Sequence, residues 1–398
     1  MKNISDVKNN CVGCRSCEQV CPKNAIVIKE REDGFLYPYV DQDKCINCSL
    51  CVKHCPTQLP KNSSVVPLKV FAFRNKNDAQ IMQSASGGVG ALAAQEIIKE
   101  GGIAYGVSYD KSFGVKHIRV DCLSDLPQIQ SSKYVQSDTG NTYSQVQNDL
   151  LAGKTVLYTG TPCQIDGLHS FLKKDYENLY TIDLICHGVP SPKFFKKYLE
   201  FQNKQTDGKI IYYNFRSKDK RGWGTQYLLK TKTKTKTKTK TKTKTKTKTK
   251  TKTLSLDRYG KHFMKGDCYR ESCYQCEYAN IHRVGDLTIG DFWGIGKSHP
   301  DFYSEKGVSS VFVNTEKGRR LFDSIKDEAW VINATLEEAM VKQGNLVHPT
   351  KRPLERDTFY RDINCGDFID NLNVGLQLKD RVKSIIPRNL VRILKQIK

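Results

Sequence analysis

The stretch C-V-G-C-R-S-C-E-Q-V-C-P at residues 11–22 has the same cysteine spacing as C-I-N-C-S-L-C-V-K-H-C-P at residues 45–56. In each stretch three cysteines are separated by two residues, and a fourth cysteine follows with a proline directly after it. Two-residue steps let a tight loop aim each thiolate at a different metal atom. The proline ends the loop–helix segment, because its ring fixes φ and it has no N–H to donate.

The spacing C-x2-C-x2-C-x3-C-P is typical of bacterial ferredoxins with two 4Fe-4S clusters, in which the fourth cysteine binds the cluster of the other repeat. We therefore predict a two-cluster domain over residues 1–60. Zinc is the alternative, although a zinc ion takes four ligands in two pairs and does not need three close cysteines plus a distant one. The predicted ligands are Cys11, Cys14, Cys17 and Cys55 for one cluster, and Cys45, Cys48, Cys51 and Cys21 for the other.

The chain has 398 residues, which suggests two or three domains, and it contains fifteen cysteines. We find no secretory signal pattern at its start and no apolar run of the ~18 residues that span a bilayer. We therefore expect a cytoplasmic protein. Because the cytosol is reducing, metal binding explains the cysteines better than disulfides do.

A Lys-Thr dipeptide repeat occupies residues 230–253 and explains much of the formal net charge of +22. Without the twelve lysines of this tract the charge is about +10, and no nucleic-acid-binding motif accompanies it. We therefore expect no nucleic-acid partner. The period of two could extend two strands, because threonine favours β structure. The charge density favours a solvated loop without regular structure, which is our prediction for the tract.

Composition divides the remaining chain into four segments. Residues 61–68 form a polar, proline-bounded linker. Residues 69–150 and 151–345 alternate β-rich and helical stretches, so the fold class is α+β with an α/β region after the ferredoxin-like domain. Residues 346–398 form a basic tail, and residues 374–398 within it mix apolar and basic side chains in an amphipathic pattern that is interrupted at Pro387. Such a tail can rest peripherally on an anionic membrane, although packing against its own domain is the more common use.

A third set of cysteines lies beyond the ferredoxin-like repeats. Cys163 and Cys186 each lie just past the C-terminal end of a predicted strand, 155–158 and 181–185, where open α/β sheets bind ligands. Cys273 and Cys276 form a C-x2-C pair. We predict that these four bind a third 4Fe-4S cluster. In the alternative, Cys163 and Cys186 are small buried apolar residues and the pair binds zinc or nothing. Cys268 could also replace one of the four.

Several short motifs occur in an order that resembles the family of coenzyme F420 hydrogenase/dehydrogenase beta subunits, in its form with an N-terminal ferredoxin domain. The motifs are SASGG at 84–88, SSKYVQS at 131–137, GTPCQ at 160–164, CHG at 186–188, FRSKDKRGWG at 215–224, SCYQCEYA at 272–279 and GDFWG at 290–294. The resemblance implies an α/β flavin-binding domain that holds FAD and a 4Fe-4S cluster. It therefore favours the third cluster.

The resemblance also implies an FAD site. Gly87 and Gly88 precede a predicted helix, where backbone N–H groups can approach a phosphate, although a plain helix cap explains the glycines as well. Thr161 and Pro162 would line the flavin next to Cys163. The candidate FAD residues are Ser86, Gly87, Gly88, Ser132, Lys133, Tyr134, Thr161 and Pro162.

We expect an iron-sulfur flavoprotein oxidoreductase that passes electrons between a redox carrier protein and a small organic acceptor. The alternative is a non-catalytic electron-transfer subunit that docks to a separate catalytic partner. Arg216, Lys218 and Trp223 could position an anionic or aromatic substrate, or form a solvated turn with one packed indole. His187 could donate a proton near the flavin, or be a structural residue of a turn. No catalytic residue is assigned.

Overall fold

The computed structural model describes residues 3–59, 65–206, 209–219, 222–235, 244–253 and 257–365. The strands are β1 Ile26–Glu30, β2 Leu36–Val40, β3 Lys69–Asn75, β4 Ile103–Tyr109, β5 Val115–Val120, β6 Val156–Gly160, β7 Leu179–Leu184, β8 Lys209–Asn214, β9 Gln226–Thr235, β10 Lys244–Thr253, β11 Leu287–Asp291, β12 Ser309–Val313 and β13 Ala329–Ala334. The helices are α1 Ser16–Gln19, α2 Leu50–Lys53, α3 Asp78–Gln83, α4 Val89–Lys99, α5 Thr142–Leu151, α6 Pro162–Leu172, α7 Pro192–Thr206, α8 Arg258–Lys265, α9 Ile295–Ser298, α10 Glu316–Ile325, α11 Leu336–Met340 and α12 Arg356–Asp362.

The two cysteine repeats of the N-terminal domain share one backbone path. Gly13 and Asn47, which follow the first cysteine of each repeat by two residues, have φ of +75° and +53°. Arg15 and Ser49, which precede α1 and α2, have φ of +62° and +60°. Glycine and asparagine tolerate this left-handed conformation best, since other residues crowd Cβ against the backbone. The sequence duplication is therefore a duplication of local structure, with the antiparallel pair β1–β2 between the repeats.

The larger domain is built on an eight-stranded mixed sheet with the order β13-β3-β12-β11-β7-β6-β4-β5. The four inner strands β11, β7, β6 and β4 are parallel, and the strands on either side of them are antiparallel. Leu157 packs with α4 and α10, whereas Val156 and Tyr158 pack with α5 and α6. Because side chains alternate along a strand, these helix pairs cover opposite faces of the sheet.

The predicted elements that frame the third cysteine set are confirmed. The predicted helix over residues 89–99 is α4, and the predicted strands at 155–158 and 181–185 are β6 and β7 with slightly moved ends. The mixed helix and strand class is also confirmed. Strands from both 69–150 and 151–345 enter the same sheet, so the sequence division at residue 150 separates two parts of one structural unit.

The prediction for the Lys-Thr tract is wrong within the described residues. Residues 230–235 belong to β9 and residues 244–253 form β10, and the two strands pair antiparallel in a three-stranded sheet with β8. Where the repeat residues of the two strands pair, each lysine stands opposite a threonine, such as Lys248 opposite Thr231, whereas Lys250 and Lys252 stand opposite Leu229 and Tyr227. No two lysines are therefore directly opposed, which would be destabilising. Residues 236–243 lie outside the described ranges.

An aromatic core joins the N-terminal domain to the larger one. Phe35 and Tyr37 of the N-terminal domain are buried in the same cluster as Phe194, Tyr259 and Tyr360. The rings of Phe35 and Tyr360 have centroids 5.7 Å apart. The two domains consequently share buried apolar surface, so the N-terminal domain is packed against its neighbour and is not simply tethered to it.

Two predicted features fall largely outside the described ranges. Residues 61–64 of the linker and residues 366–398, which carry the amphipathic tail pattern, are not among the described residues. The preceding helix α12 places Phe359 in the aromatic core. Among the helices that the structure describes, none has both the length and the apolar character needed to cross a bilayer.

The buried ion pair at the end of β7 provides a test of the fold. The Arg283 guanidinium donates to the fully buried Asp183 carboxylate at 2.8 Å, and Asp183 also accepts two backbone N–H groups. We expect Asp183→Ala to lower the free energy of unfolding by about 3–5 kcal/mol, because it leaves a buried cation unpaired. Denaturant titration measures this. In the control, Arg320→Ala removes the exposed pair with Glu177 and should change stability by less than about 1 kcal/mol.

Candidate metal centres

Four cysteines of the N-terminal domain line one cavity. The set joins the three close cysteines of the second repeat to the fourth cysteine of the first repeat. Asn3, Ile26 and Val40 complete the walls. The cysteines, which we call the outer set, are Cys21, Cys45, Cys48 and Cys51.

A second cavity has the complementary set of cysteines. It joins the three close cysteines of the first repeat to the fourth cysteine of the second, and Ile4, Val7 and Ile28 form apolar walls. The structure thus brings together the same two sets that the spacing predicts, including the exchange of the fourth member. The cysteines, which we call the inner set, are Cys11, Cys14, Cys17 and Cys55.

Burial governs the chemistry of the inner set. Burial, with the neighbouring Cys55 as the next cause, raises the pKa of the Cys14 thiol well above its ordinary value. Burial and the neighbouring Cys14 raise the pKa of Cys17 in the same way. A buried thiolate without a counter-charge is costly, whereas a bound metal ion deprotonates its thiol ligands. The donor set therefore fits a positively charged cluster core, which would balance several thiolates at one place.

The four cysteines of the predicted third cluster also converge. Cys163 lies in the first turn of α6, and Cys186 follows β7. Cys273 lies in the middle of a 3-10 turn spanning Glu271–Gln275, and Cys276 directly follows that turn. Burial, together with the neighbouring Cys276, raises the pKa of Cys163 to about 11 and that of Cys273 to about 12. These four cysteines form the third set.

The effect of the third-set thiols on one another's pKa is clearest at Cys186. Burial raises the pKa of Cys186, and the next causes are the other three members of the set. Cys268, the alternative ligand, is fully buried in the aromatic core beside residues such as Tyr259. Cys122 and Cys365 are exposed. Within the described ranges, no three His, Cys, Asp or Glu side chains meet as closely as a single metal ion requires.

Helix α6 connects the inner set to the third set. Thr161 and Gln164 form a reciprocal capping box at its start, beside Cys163. One turn further, a Cβ at Gly167 would lie 2.7 Å from Cys14 Cβ and 3.1 Å from Cys14 Sγ. The missing side chain at Gly167 therefore lets the first cysteine loop pack directly on the helix that carries Cys163.

Three of the candidate FAD residues are already engaged by the protein. The Ser86 hydroxyl donates to the Val308 carbonyl at 2.7 Å, and the Gly87 N–H donates to Ser309 Oγ at 2.8 Å. The Lys133 ammonium is buried and donates to three backbone carbonyls, and burial lowers its pKa to about 7. These polar groups do not fit direct contacts to a phosphate, so the FAD assignment stays a prediction.

Arg216, Lys218 and Trp223 of the FRSKDKRGWG motif are buried, so the interpretation of these three residues as a solvated turn is wrong. Arg216 makes a bidentate pair with Asp291 at 2.7 and 2.8 Å and donates to the Tyr134 hydroxyl at 2.8 Å. The Trp223 indole N–H donates to the same carboxylate at 2.7 Å, and its ring stacks on Trp293. Arg216 and Trp223 are thus oriented by Asp291.

Two residues flank this network. The Lys218 ammonium donates to the carbonyls of Ile81 and Ser86 at 2.6 and 2.7 Å, and burial lowers its pKa to about 7. Burial also lowers the pKa of His187, and the Asp291 carboxylate partly opposes that shift. His187 directly follows Cys186, so the network borders the third set.

The sequence of residues 10–59 matches the family described as 4Fe-4S dicluster domain. Residues 153–338 match the family that describes the C terminus of the beta subunit of coenzyme F420 hydrogenase/dehydrogenase. The larger domain of the chain thus matches this family of beta subunits, which the sequence motifs also indicate. The N-terminal dicluster domain makes the chain an iron-sulfur protein, which excludes zinc as the general explanation of the eight N-terminal cysteines.

Some relatives match only the N-terminal domain of this chain, and others match most of its length. An uncharacterized ferredoxin of Methanocaldococcus jannaschii is 36% identical over 69 residues, which are 17% of this chain and 88% of that protein. One subunit of the F(420)H(2) dehydrogenase of Methanosarcina mazei is 21% identical over 342 residues, 80% of this chain and 83% of its own length. A protein of the F420-reducing NiFe hydrogenase complex of Methanosarcina barkeri superposes with a TM-score of 0.46, at 15% identity, over 76% of this chain and 95% of its own.

The packing of Cys14 on α6 leads to a second test. Gly167→Ala places a methyl group against Cys14 and should lower stability by about 1–3 kcal/mol, with loss of iron from the inner set. Gly90→Ala in α4 is the matched control, because its Cβ would meet only Ile289 at an ordinary 3.5 Å. Iron content and denaturation midpoints are measured for both. Equal behaviour of the two variants would contradict the proposed contact.

Proposed function

We propose that this chain passes electrons between a one-electron carrier protein and a two-electron organic acceptor. The proposed ligands of three 4Fe-4S clusters are the outer, inner and third sets of cysteines. Clusters of this type carry one electron at a time when bound. Because the chain is an iron-sulfur protein related to subunits of F420-dependent hydrogenases and dehydrogenases, electron transfer is the role that its family and its cysteines share.

The observation that carries the proposal is the approach of the inner set to the third set. Cys14 contacts α6 at Gly167, and Cys163 lies one turn earlier on the same helix. The inner and outer sets exchange their fourth cysteines, so they too are directly connected. The three sets therefore follow one another from the N-terminal domain into the α/β domain, as a path for electrons requires.

The outer set is the proposed point of exchange with the carrier. Cys48 is exposed, and Ile46 beside it is 58% exposed while lining the same cavity. Relatives that are named as subunits of oxidoreductase complexes support a protein partner. An exposed apolar side chain at the rim gives such a partner a surface on which to dock close to the thiolates.

FAD is the proposed two-electron cofactor, and it supplies conversion between paired and single electrons when bound. The Thr161 hydroxyl lies 3.2 Å from Cys163 Sγ, so Thr161 and Pro162 would form a wall next to the third set. Ser132 and Tyr134 would contribute polar groups. The remaining candidates would form walls of the site and not polar contacts to FAD, because the Ser86 hydroxyl, the Gly87 N–H and the Lys133 ammonium already donate to protein atoms. These candidates are Ser86, Gly87, Gly88 and Lys133.

A non-catalytic electron-transfer subunit is the second candidate, and a specific observation favours it. The polar groups of Ser86, Gly87 and Lys133 are satisfied by the protein itself, so the resemblance alone supports their contact with FAD. If the chain is a non-catalytic subunit, the electron acceptor lies on the partner protein, and the buried network around Arg216 has a structural role.

Iron content tests the three-cluster proposal. Anaerobically reconstituted protein should hold about twelve irons per chain, and Cys186→Ala should hold about eight, because one cubane contains four irons. Cys268→Ala, the control, replaces a buried cysteine of the neighbouring aromatic core and should keep about twelve irons. About eight irons in the unaltered protein would contradict a cluster at the third set.

Flavin content separates the two candidates. The enzyme hypothesis predicts about one FAD per chain after reconstitution, with flavin absorbance and fluorescence that disappear on removal of the cofactor. Thr161→Val and Tyr134→Phe remove hydroxyls next to the third set and in the Arg216 network, and they should weaken FAD binding. Protein with a full complement of iron and no flavin would establish the electron-transfer subunit instead.

A further inference from the structure

Arg270 is a buried cation at the junction of the two domains. It precedes Cys273 by three residues, and its side chain is only 1% exposed. Its Nε donates to the Cys11 carbonyl at 2.6 Å, and one Nη donates to the Leu36 carbonyl at 3.0 Å. The guanidinium also lies 4.0 Å from the centroid of the Tyr37 ring. One side chain of the α/β domain therefore makes three contacts with the N-terminal domain.

The surroundings make room for this guanidinium. The other Nη donates to the Gln136 side-chain carbonyl at 2.9 Å. Gly13 has φ of +75°, and a Cβ there would lie 3.1 Å from Arg270 and 2.5 Å from the Gln136 amide nitrogen. The glycine between Cys11 and Cys14 thus serves the backbone path of the first repeat and the approach of the cation.

The acceptors around Arg270 are all neutral, which sets it apart from other buried arginines of the chain. Arg216 pairs with Asp291 and Arg283 with Asp183. Among the residues that the structure describes, no Asp or Glu oxygen lies within ion-pair distance of Arg270. Removing an unpaired charge from water has a large free-energy cost, so a buried guanidinium needs an anion nearby.

The cysteines that contact Arg270 belong to two sets. Its Nε donates to the Cys11 carbonyl of the inner set at 2.6 Å, and its own carbonyl accepts from the Cys273 N–H of the third set at 2.9 Å. The cation is therefore located between the inner set and the third set, close to both.

We propose that Arg270 is the counter-charge shared by the clusters of the inner and third sets, and that it raises the reduction potential of both. The proposal rests on the proposed function, because it needs clusters at those sets. Reduction adds one electron and no proton to a cluster, so the nearby positive charge stabilises the reduced state more than the oxidised one. Arginine stays protonated throughout the accessible pH range, so the effect is constant with pH.

Redox titration of the full-length reconstituted protein, followed by electron paramagnetic resonance, tests the proposal. Arg270→Gln should make the midpoint potentials of two clusters more negative and leave the third, that of the outer set, nearly unchanged. Arg270→Lys keeps the charge and should retain most of the unaltered potentials. Iron content is determined for each variant, so a change in potential is compared only between fully loaded proteins.

A second variant compensates the charge of Arg270 while the arginine itself stays in place. Gln136→Glu places a carboxylate against the Arg270 guanidinium in a side chain of equal shape, and should lower the same two potentials. Thr139→Val is the neutral control, because it changes no charge. It removes one hydrogen bond at the same domain junction, from Thr139 Oγ1 to the Cys14 carbonyl. Its potentials should stay at their unaltered values.

The outcomes separate the two proposals. Unaltered protein with fewer than three clusters contradicts the proposed function, whatever the variants do. Three clusters whose potentials are the same in unaltered protein, Arg270→Gln and Gln136→Glu would overturn the role of Arg270 alone. Equal shifts in Thr139→Val and Gln136→Glu would show that the junction acts through packing, and would also reject the counter-charge. If Arg270→Gln does not retain iron, Gln136→Glu and Arg270→Lys decide.

Discussion

The contact between the first cysteine loop and helix α6 is the constraint on which the arrangement of the two domains depends. At Gly167 the helix presents only backbone, and Cys14 occupies the space that a side chain would fill. Around this point Thr139 donates to the Cys14 carbonyl and Arg15 pairs with Asp138 at 2.6 Å. Because these contacts surround the cysteines themselves, docking of the domain and placement of the inner set are one structural event.

The two buried or partly buried arginines at the junction have different kinds of partner. The partly buried Arg15 pairs with carboxylates on both sides of the domain boundary, whereas the fully buried Arg270 meets carbonyl oxygens and aromatic rings. A low dielectric strengthens every such interaction and makes each unpaired charge expensive. In the network that borders the third set, the Asp291 carboxylate compensates the charge of the buried Arg216 and also accepts from Trp223.

Much of this architecture can be read from the sequence because it depends on local spacing. The duplicated cysteine motif predicts which thiols share a cavity, and the glycines at the start and end of α4 predict its bounds. Contacts between distant segments are different. Nothing near Gly167 or Arg270 in the sequence indicates that they approach Cys14 and Cys11, because those approaches depend on how the domains pack. The engaged polar groups of Ser86 and Lys133 likewise become visible only in three dimensions.

The pairing of the Lys-Thr strands β9 and β10 depends on the period of two in their sequence. A one-residue slip between paired strands exchanges their faces, whereas a two-residue slip restores the original pattern. Any whole dipeptide gained or lost toward the tip of β9 and β10 therefore leaves lysine opposite threonine, and the pairing of Leu228 and Leu229 with β8 is unaffected. A change in the number of Lys-Thr dipeptides therefore alters the length of the two strands and preserves their pairing pattern.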